Sequence, residues 1–415
     1  MAEGKSRQGV VIGLTGSFGS GCSTVGQILA ETGEFHVESL SAAIKKEAQK
    51  RGIEPERRVL QDLGDELRKP QGRRHVLARK AIQAAHDNLG TRALVLDGIR
   101  NLGEVEWLRQ RYSRFYLIAV DASRDTRYGR LKGSYGKNEA VFDEDDRRDS
   151  LEPFAYGQQV ELCVDAADVL IINEADMARS KSIKQSFAEK VLDYVGLMVS
   201  PGKRPPTHVE LLMHYAYSAS LRSSCLKRQV GAVIATPDHS VIASGYNEVP
   251  PGEESCRVRF GQCYRDKVRN EYIATLRVLQ CGCGEKITPT HVPEKEGAEV
   301  HCRACGRDLT PLFRRTKALD LCQSLHAEET ALLQGARLGG MGHQGMVLYT
   351  TTFPCLLCAK KIVHTGIKEV IYVEPYPVKE AAQSLSAADV TATRFEGVKS
   401  PAFHRLFKPG TGAEP

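Results

Sequence analysis

Long apolar segments, aromatic residues and excess charge are all scarce in this sequence of 415 residues. No segment approaches the roughly 18 consecutive apolar residues of a membrane-spanning helix. The first apolar run, Val10 to Leu14, is too short for the core of a secretory signal. Aromatic residues make up 7% of the chain and the net charge is +6, so the composition does not demand nucleic acid as a partner. We therefore expect a cytoplasmic globular protein with no membrane association.

Cysteine is present in moderate number, and its spacing is informative. The chain has 12 cysteines, several of them in close pairs. Without a secretory signal, paired cysteines indicate metal ligands sooner than disulfides. The sequence therefore predicts at least one zinc site.

Two α/β patterns follow one another along the chain. Apolar runs that alternate with helix-length segments predict a doubly wound parallel sheet at residues 1–199, with strands at 10–14, 93–96, 115–120 and 169–172. A linker rich in proline follows at 200–206. A second α/β domain is predicted at 207–408, with strands at 230–235, 240–245, 346–350 and 370–373. The polar segment 281–305 interrupts this pattern and is expected to be an insertion.

A glycine-rich loop follows the first predicted strand. Gly16, Gly19 and Gly21 are followed by the hydroxyl residues Ser23 and Thr24, ahead of an expected helix. Such a loop binds phosphate through its backbone N–H groups and Mg²⁺ through a hydroxyl. We therefore predict that it binds ATP, GTP or another nucleotide together with Mg²⁺.

One position of this loop departs from the usual pattern. Cys22 stands where such loops carry the lysine that stabilises transferred phosphate charge, so we expect nucleotide binding without efficient phosphoryl transfer. Asp97, at the end of a later strand, is placed to serve Mg²⁺ or water. Residues 9–199 resemble P-loop nucleoside and nucleotide kinases. An active kinase and a glycine turn that binds nothing are the alternatives.

Charged residues follow in the same part of the chain. Arg124, Arg127 and Arg130 recur every three residues and are expected to form a basic stripe over a phosphate on one helix. The charged run at 142–149 is expected to be a solvated loop or a helix end.

Two motifs in the second part carry the strongest chemical signal. His326 and Glu328 lie at the expected start of one helix, and Cys355 and Cys358 lie three residues apart after a proline. One imidazole and two thiolates leave a fourth position open, which is the arrangement of a catalytic zinc. Zinc lowers the pKa of a bound water toward about 7, and Glu328 is expected to carry protons to N3 of cytosine and to the leaving ammonia. This H-x-E and P-C-x-x-C pattern is that of zinc nucleobase deaminases; a structural zinc knuckle is the alternative.

Further cysteines lie in the insertion as two close pairs. Cys281 and Cys283 form the first pair, and Cys302 and Cys305 form the second. They predict a closed structural zinc site, with His301 as a less favoured ligand and a disulfide set as the alternative. The zinc would stabilise the fold of the insertion. Formation of a subunit contact or of an RNA-binding knuckle are further roles. Four other cysteines are expected to be buried and inert, with another site as the alternative for the middle two: Cys225, Cys256, Cys263 and Cys322.

Residues 208–396, apart from the insertion, resemble deoxycytidylate deaminases. The resemblance rests on residues 229–234, 244–247 and 366–372 and on the two motifs above. It implies a cytidine-deaminase-like αβα sandwich with zinc at two helix N-termini, and it assigns Asn247 and Ala327 to substrate binding. Glu248 replaces the glycine usual in that family, which implies a different pocket edge.

The substrate phosphate requires cations near the first strand of this domain. Arg222 is our candidate, with Lys227 and Arg228 beside it, and Tyr376 is a candidate for packing on substrate.

The order of the two parts resembles the bacterial anti-phage deoxycytidylate deaminases. That resemblance implies deamination of dCTP and dCMP to dUTP and dUMP, which depletes deoxycytidine nucleotides during infection. It also implies a regulatory kinase-like domain, a homo-oligomer and an inhibitory small RNA. The alternatives are a deaminase acting on cytosine or adenine in RNA or single-stranded DNA, which would need an aromatic-rich basic channel, and a binding protein with a vestigial centre.

Overall fold

The computed structural model describes residues 9–408 except 71, 137, 151, 153, 175–180, 277–279, 287–299, 311–321, 341–344 and 376–378. The chain divides into two compact units. The first unit contains the residues up to Leu211 together with the segment from Arg394 onward. The second unit is Leu212–Thr393.

The first unit is built on a largely parallel sheet. Its parallel strands are β1 (Val11–Thr15), β2 (Phe35–Ser39), β3 (Ala93–Asp97), β4 (Phe115–Asp121) and β5 (Val169–Ile172). Most of these strands are continuous apolar runs, because a parallel sheet is covered on both faces. All five residues of β1 are buried, and it lies in the middle of the sheet order β5-β4-β1-β3-β2.

Helices connect and cover these strands. They are α1 (Cys22–Glu31), α2 (Leu40–Lys50), α3 (Arg57–Arg68), α4 (Val76–Ala85), α5 (Leu102–Arg111), α6 (Arg124–Tyr135), α7 (Glu139–Ser150), α8 (Val160–Asp165) and α9 (Lys181–Val199). Apolar side chains of α1 and α9, among them Val25 and Val191, pack in one core with Ile12 and Leu14 of β1. The start of α5 is fixed by a capping box between Asn101 and Glu104.

The position of β1 creates the crevice of the first unit. Its neighbours are β3 on one side and β4 on the other, and Leu14 pairs in register with Asp97. In open α/β sheets, ligands bind at the carboxyl ends of the strands where the strand order reverses. The loop after β1 and the end of β3 both lie at this point.

The second unit contains a five-stranded mixed sheet. Its strands are β6 (Gly231–Ala235), β7 (Val241–Tyr246), β8 (Val347–Thr352), β9 (Glu369–Glu374) and β10 (Thr391–Arg394), in the order β10-β9-β8-β6-β7. Its helices are α10 (His208–Ser220), which starts in the first unit, α11 (Cys256–Phe260), α12 (Tyr264–Leu276), α13 (Ala327–Arg337), α14 (Leu356–His364) and α15 (Lys379–Ser386). Strand β6 is antiparallel to β7 and β8, whereas β8 and β9 are parallel. Helix α13 packs on β7 and β6.

The chain returns to the first unit at its end, which differs from the predicted domain range 207–408. Strand β11 (Gly397–Val398) pairs antiparallel with β5, and helix α16 (Phe403–Phe407) follows it. Val398 and Leu406 are buried in the core of the first unit.

The predicted linker at 200–206 is also part of the first unit. The N–H of Gly202 donates to the carbonyl of Leu406, and Arg204 forms ion pairs with Asp193 at 2.7 Å and with Glu210 at 2.8 Å. The segment is rich in proline as predicted, but these hydrogen bonds and ion pairs fix it to the rest of the first unit. Among the described residues, no helix has the length and apolar character that crossing a membrane requires.

Candidate functional site

Two helices of the second unit begin at the residues of the two motifs. His326 is the N-cap of α13, and Cys355 is the N-cap of α14. Both N-caps have an extended backbone, and Cys358 lies in the first turn of α14. Helices α13 and α14 are in contact, which brings the three side chains together. A helix N-terminus also stabilises a thiolate through its free N–H groups and its dipole.

The imidazole and the two thiols form a compact set of donors. Nδ1 of His326 is 3.3 Å from Sγ of Cys355 and 3.4 Å from Sγ of Cys358. The three ligand atoms lie within 4.8 Å of one another. Tetrahedral zinc, with bonds of about 2.0–2.3 Å, separates such atoms by roughly 3.6–3.8 Å. The donor chemistry and the spacing therefore fit zinc.

The protonation of these donors is set by their contacts. Hydrogen bonding with Cys358, and then with His326, lowers the pKa of Cys355 to about 4, which makes this sulfur a thiolate at neutral pH. Hydrogen bonds with Cys322 and Cys355 raise the pKa of His326 to about 10. Because a metal ligand must be the neutral imidazole, binding at this site has to displace a proton.

Glu328 lies beside these donors in the first turn of α13. It is buried, and this burial raises the pKa of its carboxyl, with a further increase from the thiolate of Cys355. The backbone N–H group and His326 act in the opposite direction. A raised pKa lets a carboxyl hold a proton more readily than an ordinary carboxylate does, which suits a group that must accept a proton and donate it again.

A close approach of helix and strand holds this region together. Gly245 lies in β7 where α13 crosses it, and a β-carbon at this position would overlap the backbone of Ala327 and Ala331. Ala327, which lies between His326 and Glu328 in the motif, is fully buried. The glycine therefore sets the distance between α13 and the sheet.

The cysteines of the insertion form a second set of metal donors. Cys281 and Cys305 have their sulfurs 3.6 Å apart, as do Cys283 and Cys302, and all four ligand atoms lie within 4.8 Å of one another. Each pair sits on a tight turn that ends in a glycine with positive φ, Gly284 or Gly306. Four thiols close enough to occupy the corners of a tetrahedron fit a structural zinc. Residues 287–299 of the insertion lie outside the described part of the chain.

The glycine loop of the first unit lines a cavity of about 550 Å³. Gly16, Gly19 and Gly21 all have positive φ, which lets the loop turn its backbone toward the cavity. Ser23 donates a hydrogen bond to a carboxylate oxygen of Asp97 over 3.0 Å, and both side chains line the cavity together with Thr24. Burial raises the pKa of Asp97, against the effects of Ser23 and Arg100.

The residue at the lysine position carries no charge. Burial, reinforced by Asp97, raises the pKa of Cys22 to about 12, so its thiol stays protonated at neutral pH. The cations that line the cavity are Arg68, Arg100 and Arg130. Arg68 pairs with Glu104 and Arg100 pairs with Asp149, which leaves less of their charge for a ligand.

Comparison with known proteins places the second unit in a family. The family described as "Cytidine and deoxycytidylate deaminase zinc-binding region" matches residues 206–374. The deoxycytidylate deaminase of Enterobacteria phage T4 is 31% identical over 172 residues, which cover 40% of this chain and 77% of that enzyme. The chain belongs to the deoxycytidylate deaminase family. The predicted fold class, a parallel P-loop domain joined to a cytidine-deaminase-like domain, is confirmed.

Other relatives match this chain over segments of different length. The deoxycytidylate deaminase of Saccharomyces cerevisiae is 31% identical over 234 residues, which cover 56% of this chain and 59% of that enzyme. The chain thus spans less than two thirds of the yeast enzyme. Residues 12–150 match the family described as "AAA domain". A UPF0200 protein of Methanothermobacter thermautotrophicus is 31% identical over 189 residues, 44% of this chain and 92% of that protein.

Asn247, assigned to substrate by resemblance, is engaged with the protein backbone. Its side-chain oxygen accepts from the N–H of Val230 at 2.7 Å, and its amide nitrogen donates to the carbonyl of Arg228 at 2.8 Å. Its own carbonyl accepts from the hydroxyl of Ser223 at 2.6 Å. Asn247 therefore fixes the segment that leads into β6, next to the motif that carries Glu328.

Glu248, at the unusual position of the family pattern, also binds this segment. Its carboxylate accepts from the N–H and the hydroxyl of Ser224, at 2.8 and 2.6 Å. Burial alone would raise the pKa of Glu248, but these hydrogen bonds, one from Val249 and the charge of Arg222 lower it overall. The guanidinium of Arg222 lies 5.9 Å from the ring centre of Tyr246.

The two cations beside Arg222 are already paired with carboxylates. Lys227 pairs with Asp266 at 2.7 Å and Arg228 pairs with Glu374 at 3.3 Å. Tyr376, the remaining candidate for substrate packing, lies outside the described residues.

The predicted basic stripe of α6 does not form, and the reason is α7. The charged run at 142–149 lies within this helix rather than in a loop. Arg124 pairs with Asp143 at 2.8 Å and Arg127 with Asp146 at 2.6 Å, so both are directed to carboxylates. Arg130 reaches the glycine loop and donates to the carbonyls of Gly19 and Ser20. Sequence reasoning missed Arg68 and Arg100 as cavity residues, although Arg100 follows Asp97 by only three positions.

Proposed function

We propose that the protein is a zinc-dependent deaminase that converts dCMP and dCTP to dUMP and dUTP. The observation that carries the proposal is the donor set of His326, Cys355 and Cys358 beside the buried carboxyl of Glu328. Three ligands of this kind leave the fourth coordination position for water. In a purely structural site, a fourth protein side chain would occupy that position. The family membership supports cytosine nucleotides as the substrate class.

The residues divide the chemistry between them. His326, Cys355 and Cys358 would hold the zinc, which supplies an activated water for attack on C4 of the cytosine ring. Glu328 accepts a proton from that water and delivers it to ring N3. Glu328 then takes the remaining proton of that water from the oxygen now bonded to C4 and passes it to the exocyclic nitrogen. The C4–N bond breaks, ammonia leaves and the C4 carbonyl forms, so that cytosine and water give uracil and ammonia. The burial of Glu328 suits this role because its raised pKa lets it carry the proton between the two steps.

The first unit is proposed to bind ATP, GTP or another nucleotide and thereby to regulate deamination. Support comes from the glycine loop, from the Ser23–Asp97 pair as a place for Mg²⁺, and from the cavity beside them. The neutral thiol of Cys22 argues against efficient phosphoryl transfer. The proposal extends, on the resemblance alone, to a cytoplasmic homo-oligomer that limits phage replication and is held inactive by a small RNA.

The test uses the purified full chain with dCMP, dCTP, CTP and a cytosine-bearing oligonucleotide, with deaminated product measured by chromatography. We expect conversion of dCMP or dCTP, and we expect Glu328→Gln to lower the rate by about 10²–10⁴-fold with zinc content unchanged. Glu329→Gln is the matched control, because the neighbouring carboxylate pairs with Lys361 instead. Faster conversion of the oligonucleotide, or an active Glu328→Gln enzyme, would contradict the proposal.

The regulatory part is tested in the same assay. Added ATP or GTP with Mg²⁺ is expected to change the deamination rate, and Asp97→Asn is expected to abolish that change while the rate without nucleotide stays the same. A nucleotide effect that survives Asp97→Asn would show that the nucleotide acts elsewhere.

A further inference from the structure

The loop of residues 222–230, between α10 and β6, is fastened near both ends by the residue that follows β7. Near its start, the hydroxyl of Ser223 donates to the carbonyl of Asn247 at 2.6 Å. At its end, the side chain of Asn247 accepts from the N–H of Val230 at 2.7 Å and donates to the carbonyl of Arg228 at 2.8 Å. The two ends of the loop are therefore held close together, as in a compact surface loop of the Ω type.

Glu248 adds a further contact inside this loop. Its carboxylate accepts from the N–H and the hydroxyl of Ser224, at 2.8 and 2.6 Å, and from the N–H of Val249 at 2.9 Å. The backbone carbonyl of Glu248 accepts from the N–H of Leu325 at 2.9 Å, and Leu325 directly precedes His326. One residue thus connects the 222–230 loop to the segment that delivers the zinc-binding imidazole.

The 222–230 loop lies at the same edge of the sheet as the proposed catalytic centre. Strand β6 is antiparallel to β7 and β8, so the start of β6 and the ends of β7 and β8 share one edge. Cys355 begins α14 shortly after β8 ends at this edge. The loop therefore brings the three cations considered for the substrate phosphate to the side of the sheet that holds the zinc donors: Arg222, Lys227 and Arg228.

We infer that Glu248 is a positioning residue, which holds the 222–230 loop and its cations at a fixed distance from the zinc donors. This inference rests on the proposed function, because it assumes a cytosine nucleotide as the substrate. In such a substrate the covalent structure fixes how far the phosphate lies from the ring carbon that is attacked. Cations that bind the phosphate must therefore be held in place relative to the zinc donors.

The Glu248 carboxylate acts on a substrate phosphate in two ways that have opposite signs. As a hydrogen-bond acceptor it holds the loop in place, which favours binding of the phosphate. As a negative charge it repels the phosphate and attracts Arg222. Because the N–H and hydroxyl groups of Ser224 and the N–H of Val249 compensate this charge, we expect the positioning effect to be the larger one.

The test compares deamination of dCMP and of deoxycytidine, which lacks the phosphate, by the purified full chain. We expect Glu248→Ala to raise the KM for dCMP about tenfold or more, with kcat within about threefold of the unaltered value. The value of kcat/KM for deoxycytidine should stay the same, because no phosphate is bound. Glu248→Gln keeps an oxygen that accepts from Ser224 and removes the charge, and it should restore the KM for dCMP to within about threefold.

Glu253→Ala is the matched control, since it removes an exposed carboxylate from the same connection between β7 and α11. An unchanged KM for dCMP in Glu248→Ala, or an equal loss with deoxycytidine, would overturn the inference while leaving the proposed function intact. A KM that falls in both Glu248→Ala and Glu248→Gln would show that charge and not position is what matters. An unaltered chain that converts no cytosine nucleotide would overturn the proposed function and this inference together.

Hydrogen exchange of the full chain tests the contact itself and requires no activity. We expect the amides of residues 223–230 to exchange about tenfold faster in Glu248→Ala, and at the unaltered rate in Glu248→Gln and Glu253→Ala. Ser224→Ala removes the hydroxyl from the same contact, so it should have a smaller effect and add nothing to Glu248→Ala. Unchanged exchange in Glu248→Ala would show that Glu248 does not hold the loop.

Discussion

Cys22 is a single residue that decides what the glycine loop can do. Its protonated thiol offers no charge to a phosphate chain, although the cavity beside it is large enough for a longer side chain. We expect Cys22→Lys to tighten binding of ATP with Mg²⁺ by about tenfold, because one phosphate would gain a cation worth roughly 1.4 kcal/mol. Titration calorimetry measures the change.

The control for this substitution is Cys22→Met, which lengthens the side chain without adding charge. An equal gain in both variants would mean that shape and not charge limits binding. No gain in Cys22→Lys would mean that Arg100 and Arg130 already satisfy the phosphates.

Gly245 is a residue whose missing side chain positions the catalytic helix. A β-carbon there would meet the backbone of Ala327 and Ala331, which cannot move without displacing α13. We expect Gly245→Ala to lower the free energy of unfolding by about 1–3 kcal/mol and to reduce deamination more than tenfold. Thermal unfolding and the deamination assay measure the two effects.

Gly129→Ala is the matched control, since a β-carbon at that helical position meets nothing within 4 Å. It should preserve stability or raise it by up to about 1 kcal/mol. A Gly245→Ala protein with normal activity would show that α13 can shift without loss of function.

Local sequence patterns predicted the metal donors. Contacts between residues that are far apart in the chain were not predicted. The helix starts at His326 and Cys355 were predicted from local sequence, namely the segment rich in alanine and leucine after His326 and the proline before Cys355. The partners of Asn247 could not be predicted, because Val230 and Arg228 come to it only through the pairing of β6 with β7. The arginine stripe failed for the same reason, since its carboxylate partners lie on another helix.

Helices α3 and α7 are joined by charged side chains, and one of these titrates in an accessible range. Asp65 of α3 lies near Arg148 of α7, at 3.4 Å, and near Glu152. Burial first, and then the charge of Glu152, raise its pKa to about 7 from 3.8. Between about pH 4 and 7 the folded protein keeps a proton that the unfolded chain releases, so stability falls as pH rises through this window.

Asp65→Asn should remove that dependence. We expect the variant to be more stable than the unaltered chain at pH 8, by roughly 1 kcal/mol after solvent screening, and to gain little at pH 4. Thermal midpoints at both pH values measure the difference. Asp62→Asn is the control, because this exposed carboxylate contacts the same Arg148. An unchanged pH profile in Asp65→Asn would show that Asp65 is ionised in the fold.

The strands that sequence patterns missed share a physical cause. Strand β2 contains His36, Glu38 and Ser39 and only its first residue is fully buried, so it lacks the apolar run that marks the central strands. Strand β11 has only two residues, and its existence depends on pairing with β5 from a distant part of the chain. Central strands such as β1 and β4 are apolar up to their last residues, Thr15 and Asp121, and were predicted for that reason.

The packing of the first unit depends on residues 397–407, which follow the second unit in the chain. Val398 and Leu406 are buried there, and Lys399 donates to the carbonyls of Val164 and Asp165. A chain that ends at Thr393 keeps every residue of the second unit but loses these contacts. We expect it to bind nucleotide poorly and to be cleaved faster by protease within residues 9–211, because each large buried side chain contributes about 1.5–3 kcal/mol.

Limited proteolysis with peptide mapping measures this effect, and a chain that ends at Lys408 is the control because it retains all the contacts just named. Equal protease resistance of the two truncated chains would show that β11 and α16 add nothing to the first unit.

The return of the chain to its first unit also has a consequence for how the protein is made. A ribosome releases the whole second unit before it releases β11, so the deaminase domain can complete its fold while the sheet of the nucleotide-binding domain still lacks an edge strand. Domains fold in the order in which synthesis delivers them. A prematurely terminated polypeptide would therefore carry the deamination motifs while β5 stands as an unpaired edge of the first sheet, and an unpaired strand edge is a site at which chains associate wrongly.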